Sequence, residues 1–336
     1  MKLRYLLTLT LLAAMMGACV KEEQYDDTPT GNFDALWRII DEHYCFLDYK
    51  QQQLNFDWKL VRLDYRQRLD SKMSQLQLFE VMADMLSILA DGHVNLYAAH
   101  DVGRNWSWQE NYPRNFDVEL QDDYLGHDYK IASGLSYRIL PDNVGYIAVP
   151  SFSAAIGDGN ITEVLHHMRL CTGIIIDVRG NGGGDLTNAE RLARRFTNER
   201  RLVGYICHKT GPGHNDFSTL EEEYLEPSTS MRWQKRAIVL TNRQCYSATN
   251  TFVRDMAECP LVTILGDKTG GGSGLPFSSE LPNGWSVRFS AAPMFDARRQ
   301  QIEFGIQPDT VVALNPEDVA RGHDTLIETA RSILRQ

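Results

Sequence analysis

The sequence predicts an α/β core with a mainly parallel sheet, preceded by an N-terminal helical subdomain. Three observations carry this. Across residues 145–266, strand patterns alternate with helix patterns, the order expected of a parallel sheet. One of those strands, Gly173-Ile174-Ile175-Ile176-Asp177-Val178, is a continuous apolar run, as in a strand buried on both faces. Across residues 32–93 the apolar residues recur at three- and four-residue steps, which is helical spacing. The 336 residues are 43% hydrophobic and 23% charged, enough for one large domain or two smaller ones.

The first residues form a targeting segment rather than part of the fold. Lys2 and Arg4 precede an apolar run, 6–16, that is too short for a permanent spanning helix. Met16-Gly17-Ala18-Cys19 looks like a bacterial lipobox, with 1–18 as signal peptide and Cys19 as the lipidated first residue. An ordinary signal peptide cut near Ala18 is the plainer reading. Lipidation places the protein in the bacterial cell envelope, anchored to a membrane through Cys19 without a spanning helix. Residues 19–31, with Glu22, Glu23, Asp26, Asp27 and Pro29, read as a tether. The net charge of -10 and the lack of any Lys/Arg stripe argue against nucleic acid as a partner. Apart from Cys19, five cysteines remain without paired spacing, which argues against a disulfide framework or a zinc cluster.

Residues 32–98 make the helical subdomain. Phe33, Leu36, Trp37, Ile40 and Tyr44 mark a first helix, with Asn32 as its expected N-cap. Runs at 58–69 and 74–89 mark two more. The third stops at Gly92, and His93 follows directly before a short strand, 94–98. A histidine there is either a satisfied core group or a base placed to enter a cleft. Residues 99–136 form a connector rich in aromatics, including Trp106 and Trp108. It either packs over the core or, with the loop 209–233, shapes a pocket.

The core occupies 137–336. Tyr137-Arg138-Ile139-Leu140 and the strand from Val144 flank Pro141-Asp142-Asn143 and predict a hairpin. A helix at 161–170 precedes the buried strand. That strand exits through Arg179-Gly180-Asn181-Gly182-Gly183-Gly184-Asp185, which matches neither the dinucleotide spacing nor the P-loop, so no cofactor is implied. Such glycines let bare N–H groups face a cleft. The strand 237–240 then runs into a polar turn, and Ser247 stands where a helix begins, with Thr251, Phe252, Val253 and Met256 at helical spacing. A serine at a strand-to-helix turn projects its oxygen beside the free N–H groups of the helix start. This makes Ser247 a candidate nucleophile, and a plain N-cap is the alternative. Cys245, two residues earlier, reads as a small core residue. A second glycine loop at 269–274, two β runs and a last helix at 323–334 complete the chain.

The glycine-rich strand exit, the strand-turn-Ser247-Ala248 unit and Glu303-Phe304-Gly305-Ile306-Gln307-Pro308-Asp309 together resemble the C-terminal processing peptidase and tricorn-core family of serine peptidases. That family has a ClpP/crotonase-like core. The likeness covers 135–314, and Asp91-Gly92-His93 extends it into the helical unit. It implies hydrolysis of peptide or protein substrates through an acyl-enzyme on Ser247, with no metal or cofactor. Processing peptidases in the family use a lysine in the loop that here reads Thr269-Gly270-Gly271-Gly272. Gly272 stands in its place, and Lys268 precedes the loop and substitutes poorly. Tricorn-type members use a histidine from the N-terminal region, matched by His93, and a glutamate, matched by Glu303. The resemblance implies that His93 is the general base and that Glu303 orients or charge-stabilises it. Ala248 with Gly182 or Gly183 would form the oxyanion hole. The tricorn-type serine before the histidine is replaced by Gly92. The connector is too short to hold a full PDZ-like domain. A non-catalytic binding lipoprotein on the same fold, or an esterase or amidase, would use the same residues.

Overall fold

The computed structural model describes residues 25–336; the expected lipidation site Cys19 and the signal segment lie outside them. The N-terminal unit begins with helix α1, Pro29–His43. Its cap is Thr28, whose side chain accepts from Gly31 N–H, with Pro29 in the first turn where its fixed φ suits a helix start. The expected cap, Asn32, is instead a buried residue inside the helix, bonded to Asp27. A short helix α2, Leu47–Leu54, follows; its Gln51-Gln52-Gln53 run conceals any apolar period in the sequence. Helices α3, Trp58–Arg66, and α4, Gln75–Ser87, complete the unit. Ser74 and Gln77 close a capping box on α4.

Two small strands come next, β1 (Asn95–Tyr97) and β2 (Val102–Gly103), then short helices α5 (Ser107–Glu110) and α6 (Val118–Leu125). The chain continues through β3 (Lys130–Ala132), β4 (Leu135–Ile139), β5 (Val144–Ala148), α7 (Asp158–His167), β6 (Gly173–Asp177) and α8 (Leu186–Ala193). It then forms β7 (Arg201–Ile206), β8 (Glu221–Leu225), β9 (Ala237–Thr241), α9 (Ala248–Ala257) and β10 (Val262–Gly266). The last elements are β11 (Gly274–Glu280), β12 (Ser286–Asp296), β13 (Thr310–Val311), α10 (Pro316–Ala320) and α11 (Thr325–Leu334).

The main sheet has seven strands in the order β13-β10-β9-β6-β5-β4-β3. The five strands from β13 to β5 run parallel, and the expected β4–β5 hairpin adds an antiparallel margin, turning at Asn143 with φ +62°. Both faces are covered, which is why Ile174, Ile175 and Ile176 of β6 are all apolar and buried. Ile174 and Ile176 pack with Val164 of α7, Leu192 of α8 and Phe252 of α9, whereas Ile175 packs with Leu326 and Ala330 of α11.

A second, antiparallel sheet in the order β2-β1-β12-β7-β8, with β11 on β12, links the two ends of the chain. The eleven-residue β12 pairs with β1 through Asn95↔Arg288 and with β7 through Phe295↔Tyr205. Leu281, Trp285, Val287 and Phe289 therefore share one hydrophobic cluster with Phe33, Trp58, Phe79 and Met82 of the helical unit. This shared core brings the turn after α4 up to the parallel sheet. Among the described residues no helix is long and apolar enough to cross a membrane.

Candidate active site

Ser247 lies on a strained elbow. Its backbone has φ +56° and ψ -122°, and its side chain makes no capping bond to α9. A non-glycine residue in such a conformation costs about 1–3 kcal/mol and persists only where its surroundings hold it. Here both glycine loops do so. Ser247 N–H donates to Gly271 O at 2.9 Å, and Tyr246 N–H donates to Asn181 O at 3.2 Å. Cys245 is fully buried, its thiol donates to Val178 O, and burial pushes its pKa up to about 12, as befits a core residue. Arg179 fixes the first loop from below through buried ion pairs to Asp177 at 2.7 Å and to Asp324, the α11 cap, at 2.9 Å.

His93 follows α4 on a turn that starts at Ala90, itself at φ +45°. The imidazole is only 4% exposed, and its Nε2 lies 3.0 Å from Ser247 Oγ. Asp91 shapes this turn. Its carboxylate accepts from His93 N–H at 2.8 Å, Tyr44 OH at 2.8 Å, Ser290 Oγ at 3.1 Å and Tyr246 OH at 3.2 Å. Burial opposes ionisation of Asp91, but Lys50, His93 and these donors outweigh it, so its pKa lies below the ordinary carboxylate value. For His93 desolvation wins over the Asp91 charge, with Arg288 and Lys50 assisting, and the pKa falls to about 4. Its Nδ1 has no hydrogen-bond partner among the described residues.

Glu303 sits deeper and does not bond to the imidazole. Its carboxylate pairs with Lys50 Nζ at 2.8 Å and accepts from Ser273 N–H at 2.9 Å. Burial raises its pKa, to about 7, against the pull of Lys50. The geometry therefore gives direct orientation of the His93 turn to Asp91, and ties Glu303 to Lys50.

Of the expected oxyanion donors, Gly183 N–H is engaged by Asn181 Oδ1 at 2.9 Å. Gly183 serves instead by lacking a side chain: a Cβ would lie 2.9 Å from Ser247 Cβ and 3.0 Å from Ala248 N. Gly182 lines the cleft with open space beside it. Ala248 starts α9, where a backbone N–H has no intrahelical acceptor.

Both departures from the expected catalytic patterns abut the stacked Tyr246 and Trp108 side chains. A Cβ at Gly272 would lie 2.3 Å from the ring, and Gly272 has φ +76°, so a lysine has no place there. A Cβ at Gly92 would lie 2.9 Å from Tyr246 Oη and 2.6 Å from Trp108 Nε1. Trp108 stacks on Tyr246 at 4.0 Å, and Trp106 stacks on Trp108 at 6.4 Å. Together they line a cleft of about 570 Å³ above Ser247 and His93. The connector thus both packs on the core and builds the site. The loop 209–233 does not line this cleft; His214 binds it to Asp41 and Asp48 of the helical unit instead.

The comparisons agree with this architecture. A match to peptidase family S41 spans residues 143–312, half of the chain, and a match to the tricorn protease C1 domain spans 25–87. The chain belongs to peptidase family S41. A crystal structure of a peptidase from Parabacteroides merdae is 50% identical, with a TM-score of 0.88, covering 92% of this S41 chain and 97% of that one. Mature CPAF, solved with lactacystin, shares the fold at a TM-score of 0.68 and 12% identity, over 91% of this chain and 97% of its own. The carboxy-terminal processing protease CtpB of Bacillus subtilis is 24% identical over 188 residues, 55% of this chain but only 37% of that protein's length.

Sequence reasoning missed Lys50, Asp91, Tyr246 and Ser273 of this S41 site. Asp91 and Tyr246 stood beside residues already singled out, but nothing local marked them as partners. The packing also predicts that Gly92→Ser, which supplies the tricorn-type serine, harms this S41 protein. The added atoms must displace Trp108 or Tyr246, an overpacking cost of about 1–3 kcal/mol. Thermal unfolding should show a lower Tm, and tryptophan emission should shift to the red as the Trp108 stack opens.

Proposed function

We propose that this protein is a serine peptidase that hydrolyses peptide bonds through an acyl-enzyme on Ser247, with His93 as general base. The observation that carries the reading is the 3.0 Å approach of His93 Nε2 to Ser247 Oγ on a strained elbow. Serine is a weak nucleophile until a base takes its proton. As Oγ attacks the substrate carbonyl, Nε2 accepts that proton, and the imidazolium then delivers it to the departing amine. Asp91 stabilises the charged imidazole through space and fixes its turn. The N–H groups of Ala248 and Gly182 receive the developing oxyanion, each donor being worth about 3 kcal/mol of barrier. Water, activated by neutral His93, then releases the acyl group. In the same reading the protein is held at a membrane of the bacterial cell envelope by lipid on Cys19, supported by the Met16-Gly17-Ala18-Cys19 pattern.

The test is covalent labelling of residues 20–336 by an alkyl fluorophosphonate. Wild type should label and Ser247→Ala should not; a folded wild type that stays unlabelled would overturn the reading. The pH dependence is a second check. A base works only when neutral, and the His93 pKa is lowered to about 4 from an ordinary 6.5. Labelling should hold constant from pH 7 down to about 5 and fall only near pH 4, where an unperturbed histidine would already be inactive.

A further inference from the structure

Among the described residues, the cleft above Ser247 is lined by Arg104 and Arg288 and by no acidic side chain, in a chain whose net charge is -10. Neither arginine has a carboxylate partner among the described residues; Arg104 lies 5.8 Å from the Trp106 ring centre and Arg288 is half-buried on β12. By contrast, the buried arginines among the described residues, Arg179, Arg195 and Arg254, all hold carboxylates. Arg288 stands opposite Asn95 in the β1–β12 ladder, two residues from His93, so its charge lies beside the base. The Arg288 guanidinium has no counter-ion among the described residues and faces the cleft, where it presents a fork that matches a carboxylate bidentately.

We propose that Arg288, with Arg104, forms a carboxylate-binding subsite that selects peptides carrying an acidic group near the bond presented to Ser247. The inference rests on reading Ser247 as the nucleophile. The carboxylate is either an Asp or Glu side chain or the peptide's own C-terminus, since both present the same two oxygens. The three charged groups acting on His93 are Asp91 from its own turn, Arg288 from β12 and Lys50 from α2. A carboxylate docked on Arg288 cancels one of the two that weaken the base. The correct substrate therefore strengthens the base that attacks it.

The experiment compares three peptides by quenching of tryptophan fluorescence, because Trp106 and Trp108 line the same cleft. They are acetyl-Ala-Ala-Glu-Ala-Ala-amide, its Gln counterpart, and acetyl-pentaalanine with a free C-terminus. The subsite predicts that at least one carboxylate peptide binds about tenfold more tightly than the neutral one. A preference for the Glu peptide identifies a side chain, and a preference for the free acid identifies a chain terminus. In Arg288→Gln the preference should fall to about twofold or less, and the acid limb of labelling should move to higher pH. Equal binding of all three peptides, or a preference kept in Arg288→Gln, would overturn the proposal. If Arg288→Gln does not fold, Arg104→Gln on its exposed loop reads the same preference, and an unchanged value there counts against the subsite. Fluorophosphonate labelling of wild type separates the two readings. Carboxylate preference without labelling refutes the nucleophile and leaves the subsite; labelling without preference does the reverse.

Discussion

Replacing His93 by glutamine is expected to lower the fluorophosphonate labelling rate and kcat/KM by about 10⁴-fold while leaving a folded protein. The imidazole is buried and meets Ser247 Oγ through Nε2, and among the described residues Nδ1 has no partner. Glutamine fills a similar volume and can still hydrogen-bond Ser247, but it cannot accept and return a proton at neutral pH. The turn itself is held by Asp91 through the backbone N–H of residue 93, which any residue there retains. The loss should therefore appear in kcat rather than KM, and the acid limb near pH 4 should disappear from the residual rate. Circular dichroism and stopped-flow labelling check this pair of outcomes. Activity within tenfold of wild type would mean that another group activates Ser247.

Replacing Lys50 by methionine should cost about 3–5 kcal/mol of stability at pH 8, the range for removing one partner of a buried ion pair. Lys50 is 1% exposed; its ammonium binds Glu303 at 2.8 Å and Ala90 O at 3.2 Å, and lies 4.4 Å from the Phe304 ring centre. Without it, the Glu303 carboxylate keeps the Ser273 donor and little else. The pKa of Glu303, already raised to about 7, then rises further because Lys50 was holding it down. The sign follows: the folded variant takes up a proton that the unfolded chain does not, so the deficit is largest at high pH and narrows as pH falls. Glu303→Gln in the Lys50→Met background removes the stranded charge and should restore most of the loss. Urea unfolding at pH 6 and pH 8 measures all of this, and a deficit under about 1 kcal/mol at pH 8 would contradict it. Activity should fall as well, since Lys50 also pins the carbonyl of Ala90 at the start of the His93 turn.

These two residues mark the limit of what the chain discloses before it folds. His93 and Ser247 were legible because each follows a local structural signal, a glycine helix stop in one case and a strand running into a helix in the other. The mainly parallel sheet was legible for the same kind of reason, since β6 and β9 are apolar on both faces and carry their burial in their own residues. Lys50 was not legible. It lies in α2 among glutamines, and a lysine there reads as surface until Glu303 and Phe304 arrive from 253 residues along the chain. The antiparallel sheet escaped likewise, because β1 and β12 specify strands but not each other.

The glycines at 92 and 272 look in the sequence like losses from the expected catalytic patterns, and only the packed structure shows the stacked Tyr246–Trp108 pair against them. The sequence by itself determined the local elements and singled out Ser247 and His93 as candidate nucleophile and base, because hydrophobic period and turn chemistry act within a few residues. The tertiary structure decided which charges are paired, which N–H groups stay free and which arginines face the cleft. Those outcomes depend on desolvation and contact between segments remote in the chain, and no local pattern records them.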